Sequence, residues 1–462
     1  MKTHIGNGDT IVAVSTPIGE GGIGIVRLSG PSSLKIADRI FVSPDGRKPS
    51  SYRTYTTHYG KIKDKNIIDE VILTVMRAPK SYTKEDIVEI NCHGGLQATK
   101  KVLELVMREG ARIAEPGEFT KRAFLNGRID LAQAEAVLDV IRAKTEGSLK
   151  VAVGQLGGEL SKSINAIRES IVDIASHVEA SIDFPDEELE TAQKKELVKK
   201  AKDTVNGLKA LSATYDEGAV LREGVLAIIC GKPNVGKSSL MNLLLKRDRV
   251  IVSPIPGTTR DAVEEMINLK GIPIRLVDTA GIIKTSDLLE KEGIARSKKY
   301  LGMADIVIMI LDNSTKIDDA DLSIIKLLEG RKKVVVVNKC DLAGKIDAKK
   351  LKNIFTKEEI IEVSVEKKRN INVLEDKIAE AVWGGGFAQG EAAIVSNARH
   401  KALLDNSLKC MLSASKALEK DLSPELVAVD LKEAVTSLGL IIGKSVSDDI
   451  LDRIFDQFCI GK

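Results

Sequence analysis

Glycines, a lysine and a hydroxyl occur together at a spacing that suits the binding of phosphate groups. The segment Gly231–Ser238 reads GKPNVGKS and fits the pattern GxxxxGK(S/T) in full. Glycines in such a loop let backbone amides surround phosphates, while the lysine binds the β- and γ-phosphates and the hydroxyl holds Mg²⁺. A strand pattern precedes the segment and a helical pattern follows it. We therefore predict a phosphate-binding loop with Lys237 on phosphate and Ser238 on Mg²⁺.

A second motif indicates which base accompanies the phosphates. Asn338–Asp341 reads NKCD, which fits the pattern NKxD. A carboxylate at its last position accepts hydrogen bonds from both N1–H and the 2-amino group of guanine, which adenine does not offer. Ser364–Val365, at the end of the next strand pattern, fits a weaker guanine-contact loop. Together these motifs favour GTP over ATP and count against an ATP-driven or membrane-linked enzyme.

Two segments between these motifs have the composition of nucleotide-sensing switches. Asp278–Gly281 reads DTAG after an apolar strand pattern. Its aspartate suits the magnesium side of the site, and its glycine suits a hinge that senses the γ-phosphate. Pro256–Asp261 reads PGTTRD, and Thr259 is our candidate for the second magnesium ligand. An ordinary surface turn is the alternative interpretation of Pro256–Asp261.

One residue expected after DTAG is missing. Ile282 stands where many GTPases carry a glutamine that orients the attacking water. Another group must therefore position the water and neutralise charge in the transition state. Asn234 is a candidate to help bind a monovalent cation that replaces an arginine finger, and bracing of the loop is its alternative role.

Three other segments have contexts that do not favour a chemical role. Gly19–Gly24 fits GxGxxG, but a strand pattern follows where a dinucleotide fingerprint must open a helix. We expect a tight loop between two strands there, with a close backbone approach to another ligand as the alternative. For the polar and basic segment Pro116–Arg128, a solvated helix start is favoured over a site. Cys92–His93 lacks the obvious partners that a metal site needs.

Composition limits the class of protein to which these motifs belong. The chain has 462 residues, of which 43% are hydrophobic and 29% charged, and this is typical of a globular protein with two to four domains. Lys and Arg number 69 against 66 Asp and Glu, so no strong nucleic-acid coat is indicated. No long apolar run, signal peptide, lipidation box or cysteine pair is evident. We therefore expect a cytoplasmic protein without a membrane segment.

The elements that position the motifs begin with an α+β segment. Short β-branched runs alternate with turns up to about residue 118, and two helical patterns interrupt them. We predict strands at Thr10–Ser15, Gly24–Leu28, Ile67–Met76 and Ile87–Asn91, and helices at Ser32–Ile40 and Leu96–Glu109.

Long amphipathic helices are predicted next. Leu131–Ser181 carries apolar residues at helical spacing, with a break near Gly157–Gly158. A further helix begins at Pro185 and runs to about Tyr215. The chain becomes helical again after a glycine-rich linker at Trp383–Gly386, with N-cap signals at Ser423 and Ser447.

Strands and helices alternate strictly between these helical regions. Near-continuous apolar runs, which are typical of strands buried on both faces of a parallel sheet, occur at Val225–Cys230, Ile274–Asp278, Ile306–Asp312, Val334–Asn338 and Ile360–Ser364. This pattern predicts a doubly wound α/β domain inserted into one helical domain. The predicted fold class is therefore α/β and α multidomain, with segments 1–118, 119–217, 218–381 and 382–462.

Taken together, these segments resemble the MnmE (TrmE) family of bacterial tRNA modification GTPases, over essentially the whole chain. The resemblance rests on Gly19–Gly30, Gly117–Thr120, Arg122–Asn126, Asp130–Glu135, Pro233–Asn234 in the phosphate loop, Pro256–Asp261 and the C-terminal Phe458–Lys462. The phosphate loop alone fits many GTPases, whereas the C-terminal pentapeptide and the segment from Gly117 are far more discriminating.

The resemblance implies a function and several partners. Segment 1–118 would bind 5-formyl- or 5,10-methylene-tetrahydrofolate and form a homodimer, and a Ras-like GTPase domain would be inserted in the helical domain. With the FAD-dependent partner MnmG (GidA), in a heterotetramer or larger complex, the protein would modify C5 of the wobble uridine of certain tRNAs to carboxymethylaminomethyl- or aminomethyl-uridine. Folate would supply the carbon, and K⁺-dependent association of two GTPase domains would activate hydrolysis.

The resemblance also implies roles for individual residues. Arg27, Glu89, Arg128 and Lys462 would face the folate; Asn234, Ser253, Ile255 and Thr258 would ligate K⁺; Ser238 and Thr259 would hold Mg²⁺; and Glu290 would orient the attacking water. The full set expected around GTP and its ions is Asn234, Val235, Gly236, Lys237, Ser238, Ser239, Ser253, Pro254, Ile255, Pro256, Gly257, Thr258, Thr259, Asp278, Thr279, Ala280, Gly281, Asn338, Lys339, Asp341, Ser364 and Val365. Cys459 matches the family's cysteine and is either a covalent catalyst or a structural thiol.

Two departures and one competing function stay open. Glu20 stands where relatives can carry an arginine, and Ile283 where they can carry a polar residue. The first departure removes a cation that could contact the folate tail, and the second removes a polar group from the switch region. The competing function is a ribosome-assembly or other regulatory switch GTPase whose flanking domains bind RNA, and folate binding would discriminate the two.

Overall fold

The structure is a computed structural model, and it describes residues 8–184, 191–248, 264–278, 301–356, 359–383 and 393–462. These residues belong to two compact units. Unit 1 combines Met1–Leu138 with Leu438–Lys462, and unit 2 is Asp139–Ser437.

The secondary structure of the described residues follows in chain order. The strands are β1 (Ile11–Val14), β2 (Gly21–Ser29), β3 (Phe41–Val42), β4 (Thr56–Lys63), β5 (Ile67–Met76), β6 (Ile87–Gly94), β7 (Arg112–Ile113), β8 (Val225–Cys230), β9 (Glu264–Leu269), β10 (Ile272–Asp278), β11 (Ile306–Asp312), β12 (Lys333–Asn338) and β13 (Ile360–Glu362). The α-helices are α1 (Ser33–Ile40), α2 (Leu96–Arg108), α3 (Glu118–Leu125), α4 (Leu131–Arg142), α5 (Glu146–Leu156), α6 (Glu159–Asp183), α7 (Thr191–Ala213), α8 (Tyr215–Glu223), α9 (Lys237–Asp248), α10 (Asp319–Leu327), α11 (Ala348–Ile354), α12 (Ile371–Trp383), α13 (Ala398–Glu419), α14 (Pro424–Ile442) and α15 (Asp448–Phe455).

Unit 1 is built on a mixed sheet in the order β3-β4-β5-β6-β2-β1-β7. Its strands pair antiparallel except β1 and β7, which pair parallel. Alternate residues of β5 are buried, and helices α1 and α2 add Ile36 and Val102 to the same core. The predicted strands and helices of this region are observed. Strand β4 is not evident in the sequence, because it has a glycine, Gly60, at a buried position where a strand pattern would have an apolar residue. A Cβ at Gly60 would lie 2.3 Å from the Phe41 ring.

Helix α3 corrects one expectation from the sequence. The sequence favours a solvated helix start for Pro116–Arg128, but Glu118–Ala123 are all buried. The charges are compensated inside the unit, because Arg122 donates to Asp9 Oδ1 at 2.6 Å and to Glu118 Oε1 at 2.9 Å. Helices α4 and α15 pack beside α3 through a small apolar core that includes Leu131 and Phe455. Residues that look like a polar surface therefore form part of the interior of unit 1.

Unit 2 contains the predicted α/β sheet, in the order β13-β12-β11-β8-β10-β9. Strands β8, β10, β11, β12 and β13 are parallel, and among the described strands of this sheet only β9 pairs antiparallel, with β10. All six residues of β8 are buried, as its apolar run predicts. Strand β9 was not predicted, because the sequence EEMINL alternates over too short a stretch.

Long helices make up the rest of unit 2. The predicted break at Gly157–Gly158 separates α5 from α6, and Gly158 has a φ of +86°. A second break precedes α5, where Thr145 caps the helix by accepting a hydrogen bond from the Ser148 amide. Helices α7 and α13 lie side by side, and Ser212 donates to Asp405 at 2.6 Å. The linker at Trp383–Gly386 and the helix start at Pro185 fall largely outside the described residues, and the predicted domain boundaries stay predictions.

Within the described residues, no helix is long and apolar enough to cross a membrane.

Candidate functional site

The phosphate-binding motif forms the loop between β8 and α9. Gly231 has a φ of +148°, and a Cβ there would lie 2.4 Å from the carbonyl oxygen of Ile310. Gly236 has a φ of +102°, and a Cβ would lie 2.3 Å from Nδ2 of Asn338. Both positions therefore exclude any side chain, and the loop can expose backbone amides at the start of a helix.

Lys237 and Ser238 are the first two residues of α9. Lys237 is buried, and its ammonium donates to the carbonyl oxygens of Gly231 at 2.9 Å and of Lys232 at 2.7 Å. Ser238 is exposed at the same helix terminus. A lysine, a hydroxyl and a positive helix end thus converge on one loop, which is an arrangement suited to a polyphosphate and a divalent cation.

The guanine motif is tied to the phosphate loop by Asn338. Its buried side chain donates from Nδ2 to the carbonyl oxygen of Val235 at 2.9 Å. Its Oδ1 accepts from the amide of Val365 at 3.1 Å. One side chain therefore holds together the three loops that were separately predicted to contact the nucleotide.

Lys339 makes a second link between the same loops. Its ammonium donates to the carbonyl oxygen of Asn234 at 2.9 Å and to Asp312 Oδ2 at 2.6 Å. Burial alone would raise the pKa of the Asp312 carboxyl, but hydrogen bonds from Lys339 and Ser314 lower it. Asn234 itself is exposed and has a φ of +63°. Its backbone is thus held by Lys339 while its side chain lies at the surface.

Asp341 is the group that suits recognition of the base. The residue is exposed, and a hydrogen bond from the side chain of Ser364 lowers the pKa of its carboxyl. Ser364 is fully buried, and the Cys340 amide donates to the Val363 carbonyl oxygen at 3.1 Å. The two predicted guanine-contact loops are therefore adjacent, and they keep an ionised acceptor at the surface.

Much of the predicted catalytic set lies outside the described residues. These residues are Ser253, Pro254, Ile255, Pro256, Gly257, Thr258, Thr259, Thr279, Ala280, Gly281 and Glu290. Asp278 ends β10, where its backbone pairs with Ile229 of β8. This register places the chain at Asp278 beside the strand that leads into the phosphate loop.

A second cluster lies in unit 1, where the resemblance predicts folate. Arg27 on β2 and Glu89 on β6 are register partners, and Arg27 Nε donates to Glu89 Oε1 at 2.7 Å. Arg27 Nη1 also donates to the carbonyl oxygen of Gly461 at 3.2 Å. The sheet thus brings two of the four predicted folate residues into contact, and Lys462 follows Gly461 directly.

Arg128 joins this cluster through an aromatic ring that sequence reasoning missed. The guanidinium carbon of Arg128 lies 4.7 Å from the centre of the Tyr82 ring. Burial raises the pKa of Tyr82 above its usual value. The charges of Arg128 and Arg27 act in the opposite direction, so the phenol lies within the influence of both cations. The Tyr82 hydroxyl lies 3.0 Å from the Thr120 hydroxyl. Nothing in the local sequence around Tyr82 distinguishes it from a core aromatic residue.

The C-terminal segment is fixed at this cluster by close backbone contacts. Gly461 has a φ of +95°, and a Cβ there would lie 2.4 Å from the carbonyl oxygen of Val14. Ser15 Oγ donates to the Gly461 carbonyl oxygen at 3.2 Å. Cys459 is exposed, and its carbonyl oxygen accepts from the amide of Gly117 at 3.4 Å. The discriminating pentapeptide of the sequence therefore packs against strand β1.

The remaining sequence candidates have structural roles in unit 1. Residues 15–20 connect β1 to β2, so a connection between two strands is present as expected, but Gly21–Gly24 already belong to β2. Cys92 donates to the Gly24 carbonyl oxygen at 3.2 Å, and His93 Nδ1 lies 2.7 Å from Asp69 Oδ1. The described residues hold no cluster of three or more His, Cys, Asp or Glu side chains that could bind a metal ion.

Comparison with known proteins covers both units. The family model described as the MnmE helical domain matches residues 131–459, and the model described as the GTP-binding protein TrmE N-terminus matches residues 10–128. A tRNA modification GTPase MnmE from Carboxydothermus hydrogenoformans is 48% identical over 458 residues, which span 98% of this chain and 99% of the relative. The protein of the same name from Bacillus subtilis is 44% identical, and the alignment spans 98% of this chain and 100% of that relative.

Proposed function

Because this chain belongs to the MnmE family of tRNA modification GTPases, we propose that it acts with the FAD-dependent partner MnmG (GidA) at C5 of the wobble uridine of certain tRNAs. The chain is a GTPase of tRNA modification. Its product would be carboxymethylaminomethyl- or aminomethyl-uridine, and the assembly would be a homodimer joined to the partner in a heterotetramer or larger complex.

One observation carries the proposal: the similarity extends over the whole length of both proteins. The alignment with the Carboxydothermus relative spans 98% of this chain and 99% of the relative at 48% identity. A phosphate loop alone would support only a GTPase. Similarity that also covers the N-terminal segment and the helices supports the same use of those parts.

GTP would be bound in unit 2, where the residues of the phosphate loop and the guanine motif fit it. The loop amides and Lys237 would hold the phosphates, and Asp341 would accept the two N–H groups of guanine. Ser238 and Thr259 would hold Mg²⁺ on the side of Asp278, and this ion supplies charge neutralisation for phosphoryl transfer. The support comes from two glycines that leave no room for a Cβ and from an exposed, ionised carboxylate at Asp341.

Hydrolysis would be activated by K⁺ and a second copy of the chain. Asn234, Ser253, Ile255 and Thr258 would hold the cation, the middle two through backbone carbonyls, and Glu290 would orient the attacking water. The exposed side chain of Asn234, on a backbone held by Lys339, supports this role because a cation site between two GTPase domains must lie at a surface.

Folate would be bound in unit 1 by Arg27, Glu89, Arg128 and Lys462, as the 5-formyl or 5,10-methylene form. A pterin is planar and carries amino groups, and the folate tail carries carboxylates. A carboxylate, two guanidinium groups and the Tyr82 ring therefore match its chemistry. The contacts of Arg27 with Glu89 and of Arg128 with Tyr82 support one shared site.

Calorimetric titration of the full-length protein with 5-formyltetrahydrofolate tests this assignment. We expect binding by the wild type and a loss of binding in Arg27→Met. Arg39→Met is the matched control, because Arg39 also pairs with a glutamate in unit 1, Glu109, but on the surface. A wild-type protein that gives no binding heat would contradict the folate role and favour a switch GTPase.

A further inference from the structure

The side chain of Lys232, a residue of the phosphate loop, pairs with two carboxylates. Its ammonium lies 2.8 Å from Asp318 Oδ2 and 2.7 Å from Asp321 Oδ2. Only 17% of its side chain is exposed. Hydrogen bonds to Asp318 and Asp321 raise the pKa of Lys232, so the ammonium is charged at neutral pH. The loop is thus joined by a two-carboxylate ion pair to the start of helix α10.

The two carboxylates form a reciprocal cap at the start of helix α10. Asp318 is the N-cap of α10, and its Oδ1 accepts from the amides of Ala320 and Asp321, each at 3.1 Å. Asp321 Oδ2 accepts from the Asp318 amide at 3.2 Å, which completes a reciprocal cap. Asp321 is 3% exposed. Because both carboxylates belong to the capped helix end, the ion pairs tie the ammonium of Lys232 to the start of α10.

The backbone of Lys232 meets the phosphate-binding lysine. The carbonyl oxygen of Lys232 accepts from the ammonium of Lys237 at 2.7 Å. A displacement of Lys232 would therefore move a hydrogen-bond partner of Lys237. The side chain of Lys232 anchors the loop, while its main chain contributes to the placement of the lysine inside it.

The same β11–α10 connection also holds the guanine motif. Asp312, at the end of β11, accepts from Lys339 at 2.6 Å. The next residue, Asn313, donates its amide to the carbonyl oxygen of Asn338 at 2.9 Å. Residues 312–321 therefore contact the base-recognition loop at one end and the phosphate loop at the other.

We propose that Lys232 is a positioning residue of the nucleotide site, which sets the phosphate loop in register with the guanine loop through Asp318 and Asp321. It does not touch the nucleotide itself, and it acts through the connection 312–321 that both loops share. This inference rests on the proposed GTP binding in unit 2, and it adds a determinant of phosphate affinity outside the motif's own ligands.

Fluorescence titration of the full-length protein with GDP tests the proposal. Lys232→Met should weaken GDP binding roughly tenfold or more, since the charge-assisted hydrogen bonds that hold the phosphate loop to Asp318 and Asp321 are lost. Lys232→Arg should restore binding to within about threefold, because a guanidinium can reach two carboxylates. The ratio of GDP to IDP affinity should stay unchanged in both variants, since Asp341 still reads the 2-amino group. General damage to the unit would lower affinity and discrimination together.

Two further variants separate positioning from simple stabilisation. Asp318→Asn keeps a good N-cap but removes one charge, so GDP binding should fall by less than in Lys232→Met. Lys377→Met is the matched control, because Lys377 also bridges two carboxylates in unit 2, Glu359 at 2.7 Å and Glu380 at 2.8 Å. Its GDP affinity should equal that of the wild type.

The outcomes distinguish this inference from the function on which it rests. Unchanged GDP affinity in Lys232→Met, or equal weakening in Lys232→Arg, would overturn the positioning role while GTP binding stands. The double variant Lys232→Met with Asp321→Asn should weaken GDP binding no more than Lys232→Met alone. If the losses of the two single variants add up in the double variant, the two residues do not act as a pair. A wild-type protein that fails to bind GDP would contradict the proposed function and this inference with it.

Discussion

Asn338 and Lys339 show how single residues of a nucleotide motif can act as braces. Asn338 links the carbonyl oxygen of Val235 to the amide of Val365, and Lys339 links Asn234 to Asp312. Their side chains join loops to one another. Of the motif's polar side chains, Asp341 is the one exposed and ionised at the surface, so we expect it to determine the choice of base.

Replacement of Asp341 tests whether its carboxylate determines the choice of base. In Asp341→Asn, the amide offers one acceptor oxygen and places a donor near the donors of guanine. Affinity for GDP should fall about 100-fold, because two hydrogen bonds to a charged group are lost. Affinity for XDP should rise relative to GDP, since xanthine carries a carbonyl where guanine has its 2-amino group. Competition binding of the two nucleotides measures the change.

The control for this variant lies in the following helix. Asp347 caps α11 by accepting from the Lys349 amide at 2.9 Å, and asparagine is an equally good N-cap. Asp347→Asn should leave both affinities as they are. An Asp341→Asn protein that still prefers GDP as strongly as the wild type would show that another group reads the base.

At the scale of elements, helix α3 contributes a buried network of ion pairs to the interior of unit 1. Arg122 contacts Asp9, Glu85 and Glu118, and Arg112 also pairs with Glu118 at 2.7 Å. The side chains of Arg122 and Glu118 are 5% and 1% exposed. A buried network of this kind is destabilising once a partner is removed, because the remaining charges stay in a low-dielectric interior.

Arg122→Met should lower the free energy of unfolding of unit 1 by about 3–5 kcal/mol, because it leaves buried carboxylates without their partner. Urea denaturation at neutral pH, followed by circular dichroism, measures the loss. Arg39→Met removes a surface pair with Glu109 and should cost less than about 1 kcal/mol. Equal effects of the two substitutions would mean that the α3 network contributes little.

The same network has a defined pH dependence. Burial alone would raise the pKa of the Glu118 carboxyl, but hydrogen bonds from Arg112, the Glu115 amide and Arg122 lower it below its usual value. A carboxyl whose pKa is lower in the folded state stabilises the fold fully above its unfolded-state pKa. That contribution is lost as the pH falls through the lower folded-state pKa, so Arg122→Met should lose its difference from wild type in strong acid.

The C-terminal segment is an element of the proposed folate cluster although it lies at the far end of the chain. In Gly461→Ala, the new Cβ would lie 2.4 Å from the Val14 carbonyl oxygen, on a backbone with a φ of +95°. The segment should therefore leave β1, and 5-formyltetrahydrofolate should bind at least roughly tenfold more weakly, because a left-handed backbone and a close contact are both disturbed. Calorimetry measures the loss.

The control for Gly461 is a glycine with space around it. Gly439 lies in α14, and the nearest atom to a Cβ there is Lys444 Cβ at 3.7 Å. Gly439→Ala should keep folate affinity, and GDP affinity should be unchanged in both variants. Normal folate binding by Gly461→Ala would remove the C-terminal segment from the proposed site.

At the scale of the whole molecule, K⁺ would link unit 2 to a second copy of the chain. GTP hydrolysis by the full-length protein should be faster in KCl than in NaCl, because Na⁺ fits the predicted ligands less well. Asn234→Ala should abolish this difference while GDP affinity is kept. Phosphate release measures the rates, and equal wild-type rates in the two salts would contradict the cation role.

Sequence patterns predicted much of this architecture, for physical reasons that differ from part to part. The phosphate and guanine motifs are contiguous, and each ends a strand such as β8 or β12 whose apolar run is unmistakable. Their assembly at one edge of a parallel sheet follows from topology alone. By contrast, the proposed folate residues were predicted only by the family resemblance, because their meeting depends on strand register and on the C-terminal segment.

Long-range ion pairs were beyond sequence reasoning. Nothing near Lys232 indicates that Asp318 and Asp321 are its partners, since their contact depends on how β8 and β11 lie in the sheet. Glu118 and Arg122 look like an ordinary surface pair one helical turn apart. Both are buried, and Arg122 also donates a hydrogen bond to Asp9, which lies on a distant part of the chain.

Nucleoside analysis of tRNA tests the central claim most directly. In a bacterial strain without its own MnmE, expression of this chain should restore the aminomethyl-type modification at C5 of the wobble uridine, as measured by mass spectrometry. Lys237→Ala should fail to restore it. Wobble uridine that stays unmodified, although the wild-type chain is expressed and binds GTP, would contradict the account.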